Sequence, residues 1–246
     1  MSIIGIIPAR YASTRFPGKP LIDIAGKTMI QRVYEQSKKA TSLSRVIVAT
    51  DDEKIYNHVL AFGGEAMLTA TSHQSGTDRC AEVVEKLSDK QIHAVINIQG
   101  DEPFIQPEQI DLLASCFKKQ ETQIATLVKK IKDVSDLSSN TVMKVVFDVN
   151  KRAIYFSRNA IPYCRTAPLE NWLSKHDYYK HIGIYGYKTE VLRKITTLPP
   201  SPLELTESLE QLRWIENAWP VTIEITDMES VSIDTPEDLK KLSRFI

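Results

Sequence analysis

The chain has 246 residues, with 31 Lys or Arg residues balanced by 31 Asp or Glu residues, so its formal net charge is zero. This balance argues against a nucleic acid or an anionic membrane as the partner, and no apolar run approaches the roughly 20 residues of a membrane span. Three cysteines without a C-x-x-C spacing favour reduced thiols in a cytoplasmic protein.

The first predicted element is a buried strand that leads into a basic loop. Residues 3–7 form a short β-branched run, typical of a strand buried on both faces of a parallel sheet. Pro8 ends the strand, since proline cannot donate to a sheet ladder. The loop that follows carries three cations, Arg10, Arg15 and Lys19. At the carboxyl end of a strand these side chains are suited to bind a phosphate chain, and the alternative is a solvated basic loop.

Two common phosphate motifs are excluded in this region. Gly26-Lys27-Thr28 resembles the end of a P-loop, but the leading glycine of that motif would fall on Leu21. No G-x-G-x-x-G follows the first strand, so the sequence lacks a dinucleotide fingerprint as well.

Strands and helices alternate up to about residue 117. Apolar runs at 45–50, 65–70 and 93–98 predict three further strands. Helices are expected to follow four capping signals, at Thr28, Asp51-Asp52, Thr77 and Pro107. The second of these helices is predicted to face inward with Ile55, Val59 and Leu60. This order predicts an α/β fold with a largely parallel sheet and right-handed crossovers.

Two polar loops in this half are candidate ligand sites. Ser75 and Gly76 enter a helix and offer backbone N–H groups to an acceptor, although an ordinary capping loop explains them equally well. Gln99, Gly100 and Asp101 follow the strand at 93–98. A carboxylate opposite a phosphate site requires a cation between them, and Mg²⁺ is the expected ion. The alternative for Asp101 is a turn residue or a helix cap.

The pattern changes between residues 123 and 190. Strands are predicted at 123–131, 142–148, 152–157 and 181–187, with a hairpin turn at Asn150-Lys151. This section reads as an antiparallel insertion, and it suits a lid, a substrate wall or a dimer surface. The total length fits one large domain that includes such a subdomain.

The last part returns to helices and strands. Leu205, Leu209, Leu212 and Ile215 predict one helix with an apolar face. A strand at 220–226 follows, and Thr235 caps a final helix that has Pro236 at its first position. Asp234 is thus a second acid directly after a short strand-like segment.

Six motifs, in order along the chain, resemble those of the CMP-Kdo synthetase family, the 3-deoxy-manno-octulosonate (Kdo) cytidylyltransferases. The first loop also matches that family, through Pro8-Ala9-Arg10, Arg15 and Pro17-Gly18-Lys19-Pro20. The six motifs that follow it are Ser75-Gly76-Thr77-Asp78-Arg79, Gln99-Gly100-Asp101-Glu102-Pro103, Tyr155-Phe156-Ser157-Arg158, His181-x-Gly183-Ile184-Tyr185, Leu209-Glu210-Gln211-Leu212-Arg213 and Asp234-Thr235-Pro236-Glu237-Asp238-Leu239. The resemblance runs from residue 3 to about residue 240.

The resemblance implies a Rossmann-like, mostly parallel nucleotidyltransferase sheet with a smaller antiparallel β-rich insertion. The whole chain, 1–246, would form one domain, with residues 123–190 as its substrate or dimer subdomain. The implied reaction moves CMP from CTP to Kdo and releases pyrophosphate, through Mg²⁺-dependent in-line attack of the sugar 2-hydroxyl on the α-phosphorus of CTP. The family also implies a homodimer and a role in lipopolysaccharide synthesis.

The same resemblance assigns roles to residues by position. The implied CTP site consists of Pro8, Ala9, Arg10, Arg15, Lys19, Ser75, Gly76 and Gln99. Asp101 and Asp234 would bind Mg²⁺, and with Arg10 and Lys19 they form the predicted catalytic set. The implied sugar site consists of Arg158, His181, Tyr185, Glu210 and Gln211.

The sequence leaves open both the identity of the sugar and a non-enzymatic alternative. The sugar is Kdo, its 8-amino analogue, or another sugar acid such as sialic acid. A nucleotide-binding regulator that kept the fold without the chemistry is the non-enzymatic alternative, although a pure binder has no need of both aspartates.

Overall fold

The structure is a computed structural model that describes residues 2–12, 16–229 and 232–240. Within these ranges the strands are β1 (Ser2–Ala9), β2 (Asp23–Ile24), β3 (Lys27–Thr28), β4 (Arg45–Thr50), β5 (Ala66–Leu68), β6 (Ile92–Asn97), β7 (Ile124–Lys130), β8 (Lys144–Phe147), β9 (Ala153–Ser157), β10 (Tyr179–Lys188) and β11 (Val221–Ile225).

The helices of the same ranges are mostly short. They are α1 (Met29–Ser37), α2 (Glu53–Ala61), α3 (Gly76–Leu87), α4 (Pro107–Ser115), α5 (Val134–Ser138), α6 (Thr189–Ile195), α7 (Pro202–Glu207), α8 (Gln211–Glu216) and α9 (Pro236–Lys240). Short 3₁₀ helices lie at Lys19–Leu21, Cys116–Lys118 and Leu169–Ser174. Among the described residues, none of these helices has the length and apolarity required to cross a membrane.

A nine-stranded sheet forms the centre of the fold, with the order β11-β7-β10-β6-β1-β4-β5 along its main path. β1 pairs in parallel with β4 and β6, β4 with β5, and β7 with β11. β10 runs antiparallel to both β6 and β7, and the β8–β9 hairpin joins the sheet through β10. This arrangement confirms the predicted α/β class and the mostly parallel sheet.

The sheet is buried on both faces because alternate strand residues enter two different apolar layers. In β4, Val46 and Val48 pack on the side of α1, α2 and α4, whereas Ile47 and Ala49 pack on the side of α3, α6 and α8. All four are almost fully buried. The continuous β-branched runs of the sequence therefore correspond to strands covered by helices on each side.

Strands of the predicted insertion continue the central sheet. β7 and β10 belong to the nine-stranded sheet, whereas β8 and β9 form a hairpin. The predicted hairpin turn at Asn150-Lys151 is confirmed, because Lys151 has a left-handed φ of 58° and the Asp148 carboxylate accepts the N–H groups of Asn150 and Arg152 at 2.8 Å each. The role of residues 123–190 as a substrate or dimer subdomain stays a prediction.

Two predicted helix faces are wrong. Leu60 is 46% exposed, since it lies near the end of α2 on the solvent side. The single helix predicted over Leu205–Ile215 is two helices, because Ser208 adopts a left-handed φ of 52° that ends α7. Leu205 is consequently 68% exposed.

Candidate active site

A cleft of about 260 Å³ opens where β1 and β6, which are parallel neighbours, reach their carboxyl ends. Ten residues were assigned to CTP, metal or catalysis from the sequence, and nine of them line this cleft: Pro8, Ala9, Arg10, Lys19, Ser75, Gly76, Gln99, Asp101 and Asp234. The tenth, Arg15, lies outside the described residues. The structure thus brings together segments from both ends of the chain.

Two glycines allow the walls of the cleft to approach each other. A Cβ atom on Gly100 would stand 2.7 Å from the carbonyl oxygen of Pro8, and one on Gly76 would stand 3.2 Å from the Pro8 ring. Real Cβ atoms do not occupy the first of these distances, so a side chain at position 100 would force the backbone apart. The loop after β6 and the start of α3 therefore both close on Pro8.

The start of α3 is organised by a capping box. Ser75 Oγ accepts the N–H of Asp78 at 3.1 Å, and the Asp78 carboxylate accepts the N–H of Ser75 at 3.2 Å. The prediction that Thr77 caps this helix is wrong, because the N-cap is Ser75 and Thr77 lies inside the first turn. The Thr77 hydroxyl instead donates to Glu210 Oε2 at 2.8 Å.

A cation and two carboxylates form the charged centre of the cleft. Lys19 Nζ lies 2.7 Å from Asp101 Oδ2 and 3.2 Å from Asp234 Oδ1. The N–H of Ile233 donates to the carbonyl of Asp101 at 2.9 Å, which ties the segment before α9 to the loop after β6. Asp101 and Asp234 thereby meet at one ammonium group, although they lie 82 and 215 positions after Lys19 in the sequence.

The two carboxylates fit the predicted Mg²⁺. Their oxygens converge on a single cation, here the Lys19 ammonium group. Mg²⁺ is usually held by one or two carboxylates together with substrate phosphates. Among the described residues no group of three or more His, Cys, Asp and Glu side chains is placed to hold a metal. A pair of carboxylates that relies on a phosphate for further ligands agrees with that chemistry.

Arg79 is a cleft residue that the sequence analysis did not assign. The residue is 4% exposed, and its guanidinium donates to Asp51 Oδ2 at 2.9 Å and to Thr69 Oγ1 at 2.5 Å. The sequence feature that could have placed Arg79 in the cleft is its position four residues after Ser75, because residues four apart lie on the same side of a helix. Arg79 adds a buried positive charge beside the predicted phosphate loop.

His73 also lines the cleft without having been assigned. One of its ring nitrogens contacts the carboxylate of Glu82. Burial raises the pKa of Glu82, but hydrogen bonds from Lys86, the Ala70 backbone and His73 outweigh this effect and lower the pKa to about 2. The ionised Glu82 therefore anchors the loop that precedes α3.

The residues predicted for the sugar lie beside the cleft, around β10 and the start of α8. His181 and Tyr185 are close on β10, with ring centroids 5.1 Å apart, and Tyr185 packs edge-on against Trp214. Tyr185 is paired with Asn97 of β6, and the Asn97 amide lies near Gly76 of the cleft wall. This arrangement places the β10 side chains next to the cleft wall at Gly76.

We call Asn97, His181, Tyr185, Tyr187 and Glu210 the buried polar cluster. In the described part of the chain, four of its atoms are buried without a hydrogen-bond partner: Asn97 Oδ1, His181 Nδ1, Tyr185 OH and Tyr187 OH. An unpaired buried polar atom is costly, so several together point to a polar ligand. Asn97 and Tyr187 were not assigned from the sequence, although Tyr187 shares the strand face of Tyr185.

Burial changes the ionisation of this cluster. It raises the pKa of Glu210, an effect that hydrogen bonds from Thr77 and Ser75 reduce. It lowers the pKa of His181 to about 3, so this imidazole is neutral at neutral pH. In this cluster His181 is therefore uncharged, and burial disfavours the carboxylate form of Glu210.

Arg158 and Gln211 differ from the other residues predicted for the sugar. The Arg158 guanidinium donates to the carbonyl oxygens of Glu207, Asn140 and Ser208 at 2.7, 3.2 and 3.3 Å, and so holds the junction between α7 and α8. Gln211 is buried in the first turn of α8. Like His181, Tyr185 and Glu210, these two residues do not line the cleft, and the contacts of all five with a sugar stay predictions.

Comparisons with known proteins give matches that span nearly the whole chain. A family model described as Cytidylyltransferase matches residues 4–241. A 3-deoxy-manno-octulosonate cytidylyltransferase of Parabacteroides distasonis is 54% identical over 100% of this chain and 98% of its own length. Its counterpart in Bacteroides thetaiotaomicron is 53% identical with the same coverage. A solved structure of a CMP:2-keto-3-deoxy-manno-octonic acid synthetase complexed with CTP superposes with a TM-score of 0.91 at 39% identity, covering 100% of this chain and 98% of that one.

Proposed function

Because this chain belongs to the cytidylyltransferase family, we propose that it transfers CMP from CTP to Kdo and releases pyrophosphate. The observation that carries the proposal is the cleft in which Lys19, Asp101 and Asp234 meet beside the start of α3. The relatives' printed names and the CTP in the similar solved structure support Kdo and CTP as the substrates.

The cationic side of the cleft is suited to the triphosphate. Arg10 and Lys19 line it, and α3 begins at the cleft wall with Ser75 and Gly76. A helix N-terminus attracts anions, and lysine and arginine neutralise phosphate oxygens. The reaction needs positioning and charge neutralisation more than a protein nucleophile, because the sugar hydroxyl attacks the α-phosphorus directly.

We further propose that Asp101 and Asp234 hold Mg²⁺. When bound, the ion would neutralise and orient phosphate oxygens of the nucleotide. The two aspartates contribute a fixed pair of oxygens, because the hydrogen bond between Ile233 and Asp101 joins their segments. The Asp238 carboxylate orders the backbone at Asp234 by accepting its N–H at 3.1 Å.

The sugar is expected to bind on the side of the buried polar cluster. Unpaired buried atoms on Asn97, His181 and Tyr185 are suited to the many hydroxyl groups of an eight-carbon sugar acid. Glu210 and Gln211 begin α8 on the same side of the sheet. This placement sets the sugar next to the nucleotide without requiring a covalent enzyme intermediate.

The direct test measures pyrophosphate release from the purified protein with CTP and Mg²⁺, with Kdo, 8-amino-Kdo and sialic acid offered separately. We expect release with Kdo, and none when EDTA removes the metal. Preference for another sugar would replace the substrate assignment, and CTP binding without release would favour the regulator alternative. Exchange of labelled pyrophosphate into CTP without any sugar would contradict direct attack.

Three finer statements are also part of the proposal. The product serves lipopolysaccharide synthesis, the enzyme works in the cytoplasm, and two copies form a homodimer through residues 123–190. The free cysteines support the reducing compartment, and exposed apolar side chains at Val149, Ile154 and Tyr163 support an interface in that segment. Cell fractionation, complementation of a Kdo-activation mutant and sedimentation equilibrium test the three separately.

A further inference from the structure

Thr126 of β7 makes more side-chain contacts than a strand threonine usually does. It is fully buried. Its Oγ1 lies 2.7 Å from the carbonyl oxygen of Ile184, 3.3 Å from that of Ile182 and 2.9 Å from Nε2 of His181. One hydroxyl therefore contacts two carbonyl groups and an imidazole of the neighbouring strand.

The number of protons on this hydroxyl fixes the direction of each hydrogen bond. A threonine hydroxyl has one proton to donate, and a carbonyl oxygen can only accept. The 2.7 Å separation from Ile184 is a normal O–H···O distance, so the proton lies on that side. Thr126 Oγ1 must then accept from His181, which means that Nε2 of His181 carries a hydrogen.

The other nitrogen of the same ring is left as an acceptor. The neutral imidazole has one N–H and one lone-pair nitrogen, and the partner of the first decides the state of the second. His181 Nδ1 is buried, and no hydrogen-bond partner lies near it among the described residues. Burial lowers the pKa of His181 to about 3, so a second ring proton is disfavoured.

The strand around these contacts is irregular. The pairing of β10 with β7 shifts between Ile182 and Tyr185, so that Gly183 and Ile184 form a bulge. Bulges redirect side chains and occur next to active sites. The Thr126 hydroxyl donates to the Ile184 carbonyl and lies 3.3 Å from the Ile182 carbonyl, on either side of Gly183. A Cβ on Gly183 would lie 3.8 Å from Gln99 of the cleft. The bulge thus faces the reaction site.

We propose that Thr126 is a positioning residue that holds His181 in its Nε2–H tautomer, so that Nδ1 accepts a hydrogen bond from a hydroxyl group of the sugar. Thr126 itself touches neither substrate. The part of this proposal that concerns the sugar rests on the proposed function, whereas the tautomer is a property of the free protein.

The tautomer can be measured without any substrate. The protein contains five histidines, so ¹⁵N-histidine labelling and long-range ¹H–¹⁵N correlation spectra give five ring patterns, and the spectrum of His181→Gln identifies the one that belongs to His181. We expect His181 to be neutral at pH 7 with its proton on Nε2. The Nδ1–H tautomer, or a doubly protonated ring, would overturn the proposal.

Two substitutions separate positioning from packing. Thr126→Ser keeps the hydroxyl, and Thr126→Val keeps the shape without it. We expect the serine variant to retain the Nε2–H tautomer and a KM for Kdo within about twofold of the original. The valine variant should lose the tautomer preference and raise the KM for Kdo about tenfold, the size of a typical hydrogen-bond loss, with the KM for CTP nearly unchanged.

Thr222→Val provides a matched control, because this substitution removes a hydroxyl from the same sheet. Thr222 lies on β11, which pairs with β7 on the side opposite β10. We expect its KM for Kdo to stay unchanged. Equal increases of both KM values in Thr126→Val would indicate a purely structural role and overturn the proposal. If the valine variant does not fold, the proposal is still tested by the His181 tautomer in the unsubstituted protein and by the KM for Kdo of Thr126→Ser.

A ligand-bound spectrum tests the acceptor itself. With Kdo and a CTP analogue that has a methylene group between the α- and β-phosphorus atoms, the Nδ1 resonance should move while Nε2 keeps its proton. An unchanged Nδ1 resonance under saturating ligands would overturn the assignment of the sugar hydroxyl. Absence of any turnover with Kdo, together with the expected tautomer, would count against the proposed function and leave the role of Thr126 in fixing the ring intact.

Discussion

The cleft and the buried polar cluster lie side by side but use opposite electrostatics. In the cleft, the side chains of Lys19, Asp101 and Asp234 are partly exposed and form direct ion pairs with one another. In the cluster, His181 is kept neutral by burial, and the same burial favours the neutral form of Glu210. Under the proposed function, the first side would hold the charges of the triphosphate and the second the hydroxyl groups of the sugar.

If the proposed function holds, this difference would let one site distinguish two polar substrates. The interaction between charges changes slowly with distance and tolerates small errors in geometry. A buried hydrogen-bonding atom, in contrast, is stabilised only by a partner at the correct distance and angle. Mutations on the two sides should therefore fail in different ways. Changes in the cleft should affect nucleotide binding and turnover, and changes in the cluster should affect the sugar.

The largest expected effect comes from the two aspartates. Asp101→Asn and Asp234→Asn should each lower kcat by about 10²-fold or more, because a preorganised charge at the reacting phosphate is lost. Circular dichroism should show an unchanged fold. Asp177→Asn, which removes an exposed ion pair with Lys130, is the matched control and should retain full turnover. Normal turnover in either variant would exclude that aspartate from the metal site.

Lys19→Met should weaken CTP binding about 10- to 100-fold, which is the range for losing a hydrogen bond to a charged group. The KM for Kdo at saturating CTP should change little. Calorimetry with CTP gives the first quantity, and steady-state kinetics the second. Lys27→Met serves as the control, since Lys27 forms only a surface ion pair with Glu35. Unchanged CTP affinity in the Lys19 variant would contradict the phosphate assignment.

Gly100→Ala should lower the free energy of unfolding by about 1–3 kcal/mol, because the new Cβ would press on the Pro8 carbonyl oxygen. Chemical denaturation measures this change. Gly183→Ala should cost less, since its Cβ would make only ordinary contacts at 3.8 Å. Equal losses in both variants would show that the close approach to Pro8 is not what makes glycine necessary.

The smallest effects are two pH dependences of opposite sign. The raised pKa of Glu210 contributes stability below about pH 4.5 that is lost as pH rises through the raised value. The pKa of His181, lowered from 6.5 to about 3, contributes stability above pH 6.5 that is lost as pH falls toward 3. Relative to Glu210→Gln, the original protein should therefore become less stable as pH rises from 4 to 8.

The comparison with His181→Gln should show the reverse, with the original protein losing relative stability as pH falls below 6.5. Thermal unfolding of the three proteins across this pH range measures both trends. Parallel curves for the original protein and both variants would mean that neither group is perturbed by burial.

Much of the cleft follows from the order of elements in the sequence. Arg10 and Asp101 each follow a buried strand, and parallel strands end at the same edge, so their proximity was predictable from local patterns. Asp234 was different, because it lies 215 residues after Lys19. Only its motif within the family resemblance connected it to the first loop. Its position depends on a tertiary hydrogen bond between Ile233 and Asp101.

Other features depend on pairings that no local pattern contains. The bulge at Gly183 arises from the register of β10 against β7, about 55 residues earlier in the chain. The left-handed backbone at Ser208 ends α7, and the break lets Glu204 of α7 pair with Arg213 of α8, which one continuous helix would keep apart. Thr77 was taken for a cap because its hydroxyl suits that role, yet Ser75 performs it and frees Thr77 to bind Glu210.

The central position of β10 has a consequence for how the chain folds during synthesis. β6 ends at residue 97 and β7 begins at residue 124, but the strand that joins them in the sheet ends only at residue 188. Until that strand emerges, β6 and β7 each present an unpaired edge, which is the surface that aggregating chains use. The two halves of the sheet can therefore join only after β10 pairs with β6 and β7, a long-range antiparallel pairing that is intrinsically slow to form. Chains truncated before about residue 190 should be prone to aggregate, although nearly all of the residues that line the cleft have already been made.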